Sequence, residues 1–383
     1  MKELVRREIR TFLRHPIYII CMVVLPLFVT VFFSTLMDEG QPLKMPIGIV
    51  DLDNTGTTRK LTRMVDAFQN TQVVAHYSSI DEARNAIQRN EIYGFVLFPH
   101  NLTGDMLSGR QPRMSFYYTN TSLTAGALTY KDMKTMCALA SAGVGQGVMQ
   151  ARGVASHQIA AFLQPVSIDL HMVGNPWVSY NIFLCAMLIP GMVLLFIFLI
   201  TVYAVGTEIK FGTGKEWLKI AGGSIVKALV GKLLPYTLIF FTVFAAIMFY
   251  LFGILHFPAP GGFGRILLLC LLSVLSSQGF ALFIFGLMPS LRMSMSICSL
   301  WAVLSFSMVG TAFPIFAMDA PLQSAAWLFP MRHFYKIYQL CVFNTYPLSD
   351  VAINIGVMML FTLLPLLTLR RIRKAMLMYE YQA

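Results

Sequence analysis

Charge is scarce in this chain. Only 12% of its 383 residues are charged and 56% are hydrophobic, whereas a soluble domain carries about 25% charged residues to cover its surface. The mean hydropathy of +0.66 says the same, so a water-surrounded globular protein is excluded. Cysteine is also sparse. Of six Cys, four (Cys21, Cys185, Cys270 and Cys298) fall in long apolar runs and leave only Cys137 and Cys341 elsewhere, which excludes a disulfide framework. The seven His are scattered, with no His-Glu-x-x-His and no Cys/His pairing at metal-ligand spacing, and there is no Gly-x-Ser-x-Gly turn for a nucleophile. No catalytic or metal site is expected. Gly212-Thr213-Gly214-Lys215 falls short of a phosphate loop, because Ile209 and Glu216 stand where the motif needs a Gly and a Ser or Thr. Ionisable side chains inside the apolar runs are few, which argues against an ion-coupled carrier. If ATP powers anything here, another polypeptide must bind it with its Mg.

What the chain has in abundance is long apolar runs. About 20 apolar residues cross roughly 30 Å of hydrocarbon, and six segments qualify: Ile17–Met37, Tyr180–Val205, Leu233–Ile254, Ile266–Met288, Met293–Phe316 and Val351–Leu369. The expected fold class is therefore an α-helical polytopic membrane protein with six transmembrane helices. The first run is too long for a signal peptide and has no small-residue cleavage site, so it reads as a retained anchor.

The leader (residues 1–15), the segment 206–232, Arg292 and the tail carry fifteen basic against five acidic residues, net +10. The opposite short loops hold Arg265, Arg332 and Lys336 against Asp319 and Asp350, net +1. Lys and Arg mark the cytoplasmic side, so both termini are expected in the cytoplasm and residues 38–178 outside it. That stretch is itself charge-balanced, with 11 residues of each sign. The basic excess thus belongs to topology and anionic headgroups rather than to nucleic acid.

Residues 38–178 alternate strands (Met45–Val50, Gln72–Tyr77, Ile92–Phe98, Met114–Tyr118) with helical patterns (Thr57–Gln69, the segment opened by Asp81-Glu82, and Leu102–Leu107). This predicts an inserted α/β domain. From Ser122 to Phe162 an Ala/Gly/Met/Gln-rich, Pro-free stretch predicts one long helix or a pair. Asp51, Asp53 and Gly56 match part of a calcium loop, but Thr55 and Thr62 occupy ligand positions, so a helix-capping turn is the reading. Gly143, Gly145 and Gly147 fall in a helical pattern and read as close packing. Asn101-Leu102-Thr103 and Asn120-Thr121-Ser122 fit the glycosylation acceptor pattern.

Segment 206–232 mixes charges, glycine turns and an exposed-looking Trp217-Leu218 pair. By composition alone it is either a docking element or a plain surface helix anchored at the headgroups. Here the chain resembles the permease subunits of ABC-2 type exporters, in the branch with a large extracytoplasmic domain between the first two spans. The resemblance runs nearly end to end. It comprises the basic leader, Ile47-Gly48-Ile49-Val50-Asp51 with Asp53-Asn54, Asn175-Pro176 with Tyr180, Phe183 and Pro190-Gly191, and Phe313-Pro314, Pro321-Leu322-Gln323 and Phe329-Pro330. Its most specific part is Glu208, Gly212-Thr213, Glu216 and Gly231-Lys232-Leu233-Leu234-Pro235-Tyr236; Ala221-Gly222 departs from the family's Thr-Pro or Ser-Pro.

The resemblance implies a permease subunit in a bacterial inner membrane, paired with a second copy or a related permease and with ABC ATPase subunits. A periplasmic adaptor and an outer-membrane channel often complete the route. It further implies ATPase coupling through Glu208, Gly212, Glu216, Trp217 and Leu218. A re-entrant outer hairpin is implied over 313–342, with Pro314, Asp319, Gln323, Arg332, His333 and Lys336 at the exit. Small residues Ser294, Ser296, Ser299 and Ser305 are expected at the dimer interface. The substrate would be an amphiphilic or hydrophobic compound such as a drug, lipid or lipopeptide. The competing reading is an envelope sensor or assembly scaffold without net transport, which an adjacent ATPase gene would disfavour.

Overall fold

The computed structural model describes residues 2–108, 110–154, 158, 159, 163, 171, 175 and 178–378. Phe162 and Pro176, invoked above, and Glu380, counted in the charge of the tail, lie outside the described residues. The chain divides into two compact units, one of residues 1–38 with 172–383 and one of residues 39–171.

In the first unit six helices are long and apolar enough to span a membrane: Pro16–Leu36, Tyr180–Lys210, Ile225–Ile254, Phe263–Leu287, Leu291–Met308 and Leu348–Leu367, here spans 1 to 6. Burial is 61% and 72% along spans 2 and 4 but only 28–33% along the other four, so these two form the inner pair. Spans 4 and 6 touch backbone to backbone at Gly279, where any Cβ would meet the Phe361 carbonyl oxygen. The exposed faces of the outer spans carry Phe28, Val31, Leu238, Leu300, Val303 and Leu360, the surface a hydrocarbon solvent selects.

Three boundaries differ from the hydropathy reading by five residues or more. Span 2 continues five residues past Val205 because Gly206 and Ile209 remain packed inside, and it stops before Gly212, whose φ of +67° ends the helix at low cost. Span 3 starts at Ile225 rather than Leu233, with the Ser224 hydroxyl accepting from the Lys227 amide at its N-terminus. Hydropathy discards Lys227 and Lys232; the backbone ladder does not. Span 5 ends at Met308, well before Phe316, because Gly310 turns the chain at φ +95°. Residues 313–342 then form short pieces: Ile315–Ala317, Ala320–Ala325, Ala326–Leu328, Pro330–Ile337 and Tyr338–Phe343.

The second unit is the inserted α/β domain. Its sheet has the order β2-β1-β3-β4, from β1 (Met45–Asp51), β2 (Thr71–Tyr77), β3 (Gly94–Phe98) and β4 (Ser115–Tyr118). The first three strands are parallel and β4 is antiparallel to β3. Alternation along β1 sends Ile47 and Ile49 to one face, where Leu61 and Val65 of helix Gly56–Asp66 and Met133 and Met136 of helix Leu123–Ala151 close the core. Val50 packs on the other face with Ala83, Ala86, Ile92 and Phe95. Asp51 is a turn organiser: Oδ1 accepts from the amides of Asp53 and Asn54, and Oδ2 accepts from the Thr58 hydroxyl. Asp53 is held below the usual carboxylate range by the Thr103 hydroxyl donating to it. Gly143, Gly145 and Gly147 lie inside the long helix Leu123–Ala151.

Asp132 is buried in this domain, with one oxygen accepting from Asn70 Nδ2 at 3.3 Å and the other without a partner among the described residues. Burial raises its pKa. The folded state therefore favours the protonated acid, and that stability is lost as pH rises through the raised value. Asp132→Asn should thus stabilise the protein at neutral pH by ~1 kcal/mol, a gain of about 2–4 °C in melting temperature. The gain should vanish at acid pH, as a thermal scan at the two pH values would show.

Candidate functional site

At the basic end of the membrane unit four charged side chains meet, three of them out of solvent and the fourth, Arg7, partly exposed. Glu8 projects from the leader helix Lys2–Arg14, Glu208 from the last turn of span 2, and Lys232 from the second turn of span 3; they are 2%, 3% and 2% exposed. Lys232 Nζ donates to Glu8 Oε1 and Oε2 at 2.9 and 3.0 Å and to Glu208 Oε1 at 2.7 Å. Arg7 Nη2 donates to Glu208 Oε2 at 2.9 Å, and the Tyr236 hydroxyl donates to Glu8 Oε2 at 3.2 Å. Burial alone would weaken the Arg7 cation, but hydrogen bonding to Glu208 and the charges of Glu208 and Glu8 raise its pKa. Two cations and two carboxylates cancel, which makes the cluster tolerable in a low-dielectric site.

A short helix, Gly214–Ile220, sits on this cluster. The Thr213 hydroxyl donates to Glu208, and Trp217, fully buried, lies 5.5 Å from Lys232 Nζ. Gly214 packs against Met376 of the terminal helix Leu369–Met378, too closely for any side chain. The short helix is therefore fastened to the leader, spans 2 and 3 and the terminal helix.

This arrangement corrects the expectation that Trp217 and Leu218 stand exposed. They are 0% and 4% exposed and turned into the protein, because an apolar pair on a two-turn helix faces the core available to it. The exposed face consists of Phe211, Gly212, Lys215, Glu216 and Lys219. Of the expected coupling residues, then, Gly212 and Glu216 are on the surface, while Glu208, Trp217 and Leu218 form the base beneath it. Arg7, Glu8, Lys232, Tyr236 and Phe211 were missed as functional candidates. The usable signal was an acid, Glu8, four residues after the apolar Leu4 and so on the same face of the leader helix.

The expected interface serines do not share a face. Ser294 and Ser305 are buried within the chain, Ser296 is exposed and Ser299 partly so. At about 100° per residue, positions 294 and 305 coincide while 296 points roughly opposite. Composition along the span had hidden this.

In segment 313–342 the polar groups are mostly spent internally. Gln323 Nε2 donates to the Met318 carbonyl at 2.8 Å, and Arg332 donates to the Gln323 carbonyl at 3.3 Å while lying over the Trp327 ring. His333, 0% exposed, bridges the Trp327 carbonyl and Asn354 of span 6, each at 2.9 Å. Only Pro314, Asp319 and Lys336 of the six expected residues are exposed.

Six spans, an inserted α/β domain and a short basal helix define a multi-pass membrane protein. Residues 16–369 match the model of the ABC-2 family transporter proteins. The chain belongs to this family, and is thus the membrane component of an ABC transporter that works with an ABC ATPase. Comparison with curated proteins finds no match.

Proposed function

We propose that this chain is the permease subunit of a bacterial inner-membrane exporter, moving an amphiphilic or hydrophobic substrate with ATP and Mg bound by the separate ATPase. The carrying observation is the basal helix, whose polar face is exposed while its apolar face packs, through Trp217, on the cluster of Lys232, Glu8 and Glu208 that ties the leader to spans 2 and 3. A nucleotide-driven movement can reach the spans only through such a contact. The +10 charge of that end supports a cytoplasmic placement of both termini and an extracytoplasmic placement of residues 38–178. Two copies side by side would enclose the pathway, meeting through the exposed faces of spans 1 and 5, which include Ser296. Segment 313–342 would flank the exit. A periplasmic adaptor and outer-membrane channel would extend it.

Phe211, 66% exposed at the head of the basal helix, is the large apolar group an ATPase groove would take. Removing an aromatic anchor costs ~2–4 kcal/mol, roughly thirty- to a thousandfold in affinity. Phe211→Ala should leave membrane yield unchanged and abolish co-purification of the native ATPase together with export. Wild-type recovery of the ATPase would remove this surface from consideration.

A further inference from the structure

Spans 3, 4 and 6 enclose a groove of about 280 Å³, in the half of the membrane unit nearer the basic end. Its floor is Leu229, Leu233, Leu282 and Pro365, all buried, and its rim is Val226, Val230, Leu234 and Leu366, 42–58% exposed. The rim residues lie on membrane-spanning helices, so the groove opens toward hydrocarbon and only a lipid-soluble molecule can enter it.

Three polar side chains line it, Thr237, Gln278 and Thr362. Gln278 of span 4 is 4% exposed; its Oε1 accepts from the Thr237 hydroxyl at 2.7 Å, and its Nε2 has no partner among the described residues. An orphan amide is costly at this depth, and Gln278 lies about 13 Å along span 4 from its end at Leu287. The groove's two hydroxyls, of Thr237 and Thr362, already donate, to Gln278 and to the Met358 carbonyl, so the Gln278 amide is its one unpartnered polar side-chain group among the described residues. A neutral oxygen such as a hydroxyl satisfies that donor; a carboxylate or ammonium would bury an unpaired charge.

We propose that the groove is a binding site for one uncharged, lipid-soluble molecule bearing a hydroxyl, its apolar body along the leucine floor and its oxygen accepting from Gln278 Nε2. This does not rest on the export reading, since such a ligand fits a resident lipid-phase molecule as well as cargo. The test uses the purified full chain and two diazirine probes of equal length, a long-chain alcohol and the matching alkane, with labelled peptides mapped after irradiation. The alcohol should label residues 226–237 and 275–282 at least fivefold more than the alkane. Gln278→Met, which keeps the volume, should erase that preference, and Leu282→Trp, which fills the groove, should abolish labelling by both. Thermal scans identify any variant that has lost its fold, and Thr237→Val, which frees the amide from its anchor, should reduce the preference in a folded protein. Equal labelling by alcohol and alkane, or a preference that survives Gln278→Met, would overturn the proposal.

Discussion

Lys232→Met should destabilise the membrane unit by about 3–5 kcal/mol, because it leaves the carboxylates of Glu8 and Glu208 out of water with one cation between them. The partner change distinguishes an electrostatic cause from simple repacking. In Lys232→Met with Glu8→Gln, Glu208 keeps Arg7 and Thr213, and the neutral amide at position 8 still accepts from Tyr236. The double variant should recover at least half of the lost stability, a coupling that only neighbours in one network show. Melting curves of the four proteins in the cycle measure it, and strictly additive losses would dissolve the network as a unit. ATPase-driven activity should remain low even in the rescued protein, since the leader, still paired with span 2 through Arg7, is then no longer tied to span 3 through charge.

Trp217→Ala should also cost about 3–5 kcal/mol, the usual loss for a buried aromatic in a packed core. A fall on the order of 10 °C in melting temperature is expected. Trp217→Phe should cost far less, because the indole N–H it removes has no acceptor among the described residues. The contrast with Phe211→Ala separates base from surface: one variant loses fold and partner together, the other loses the partner alone. A Trp217→Ala protein that melts like the wild type yet fails to hold the ATPase would return Trp217 to the interface.

Much of the architecture was legible in sequence because its causes are local or additive. Twenty apolar residues in a row have no stable place but a bilayer or a large core, so all six spans were located by counting. The asymmetry of Lys and Arg is the ground for the proposed orientation, by the same additive logic. Alternation in Ile47-Gly48-Ile49-Val50 and the four-residue spacing of Leu61 and Val65 marked the inserted α/β domain, and Asp51 was readable as a turn organiser from its neighbours alone.

The site was legible only in part. Segment 206–232 was identified, but the direction of Trp217 was not, since a two-turn helix can place its apolar edge outward or inward according to what lies beneath it. Glu8 and Lys232 are 224 residues apart and Glu208 is 24 from Lys232, so no periodicity or composition links them. For the same reason the interface serines could be counted but not assigned faces, and Gln278 could not be told from an ordinary span polar residue. The sequence by itself determined where the chain enters the membrane, how many times it crosses and where a separate domain is inserted, because hydrophobic transfer depends on the residues present. Which charges pair, which aromatic is buried and which amide is left without a partner were decided by tertiary structure, because those energies depend on what a distant segment brings within about 4 Å.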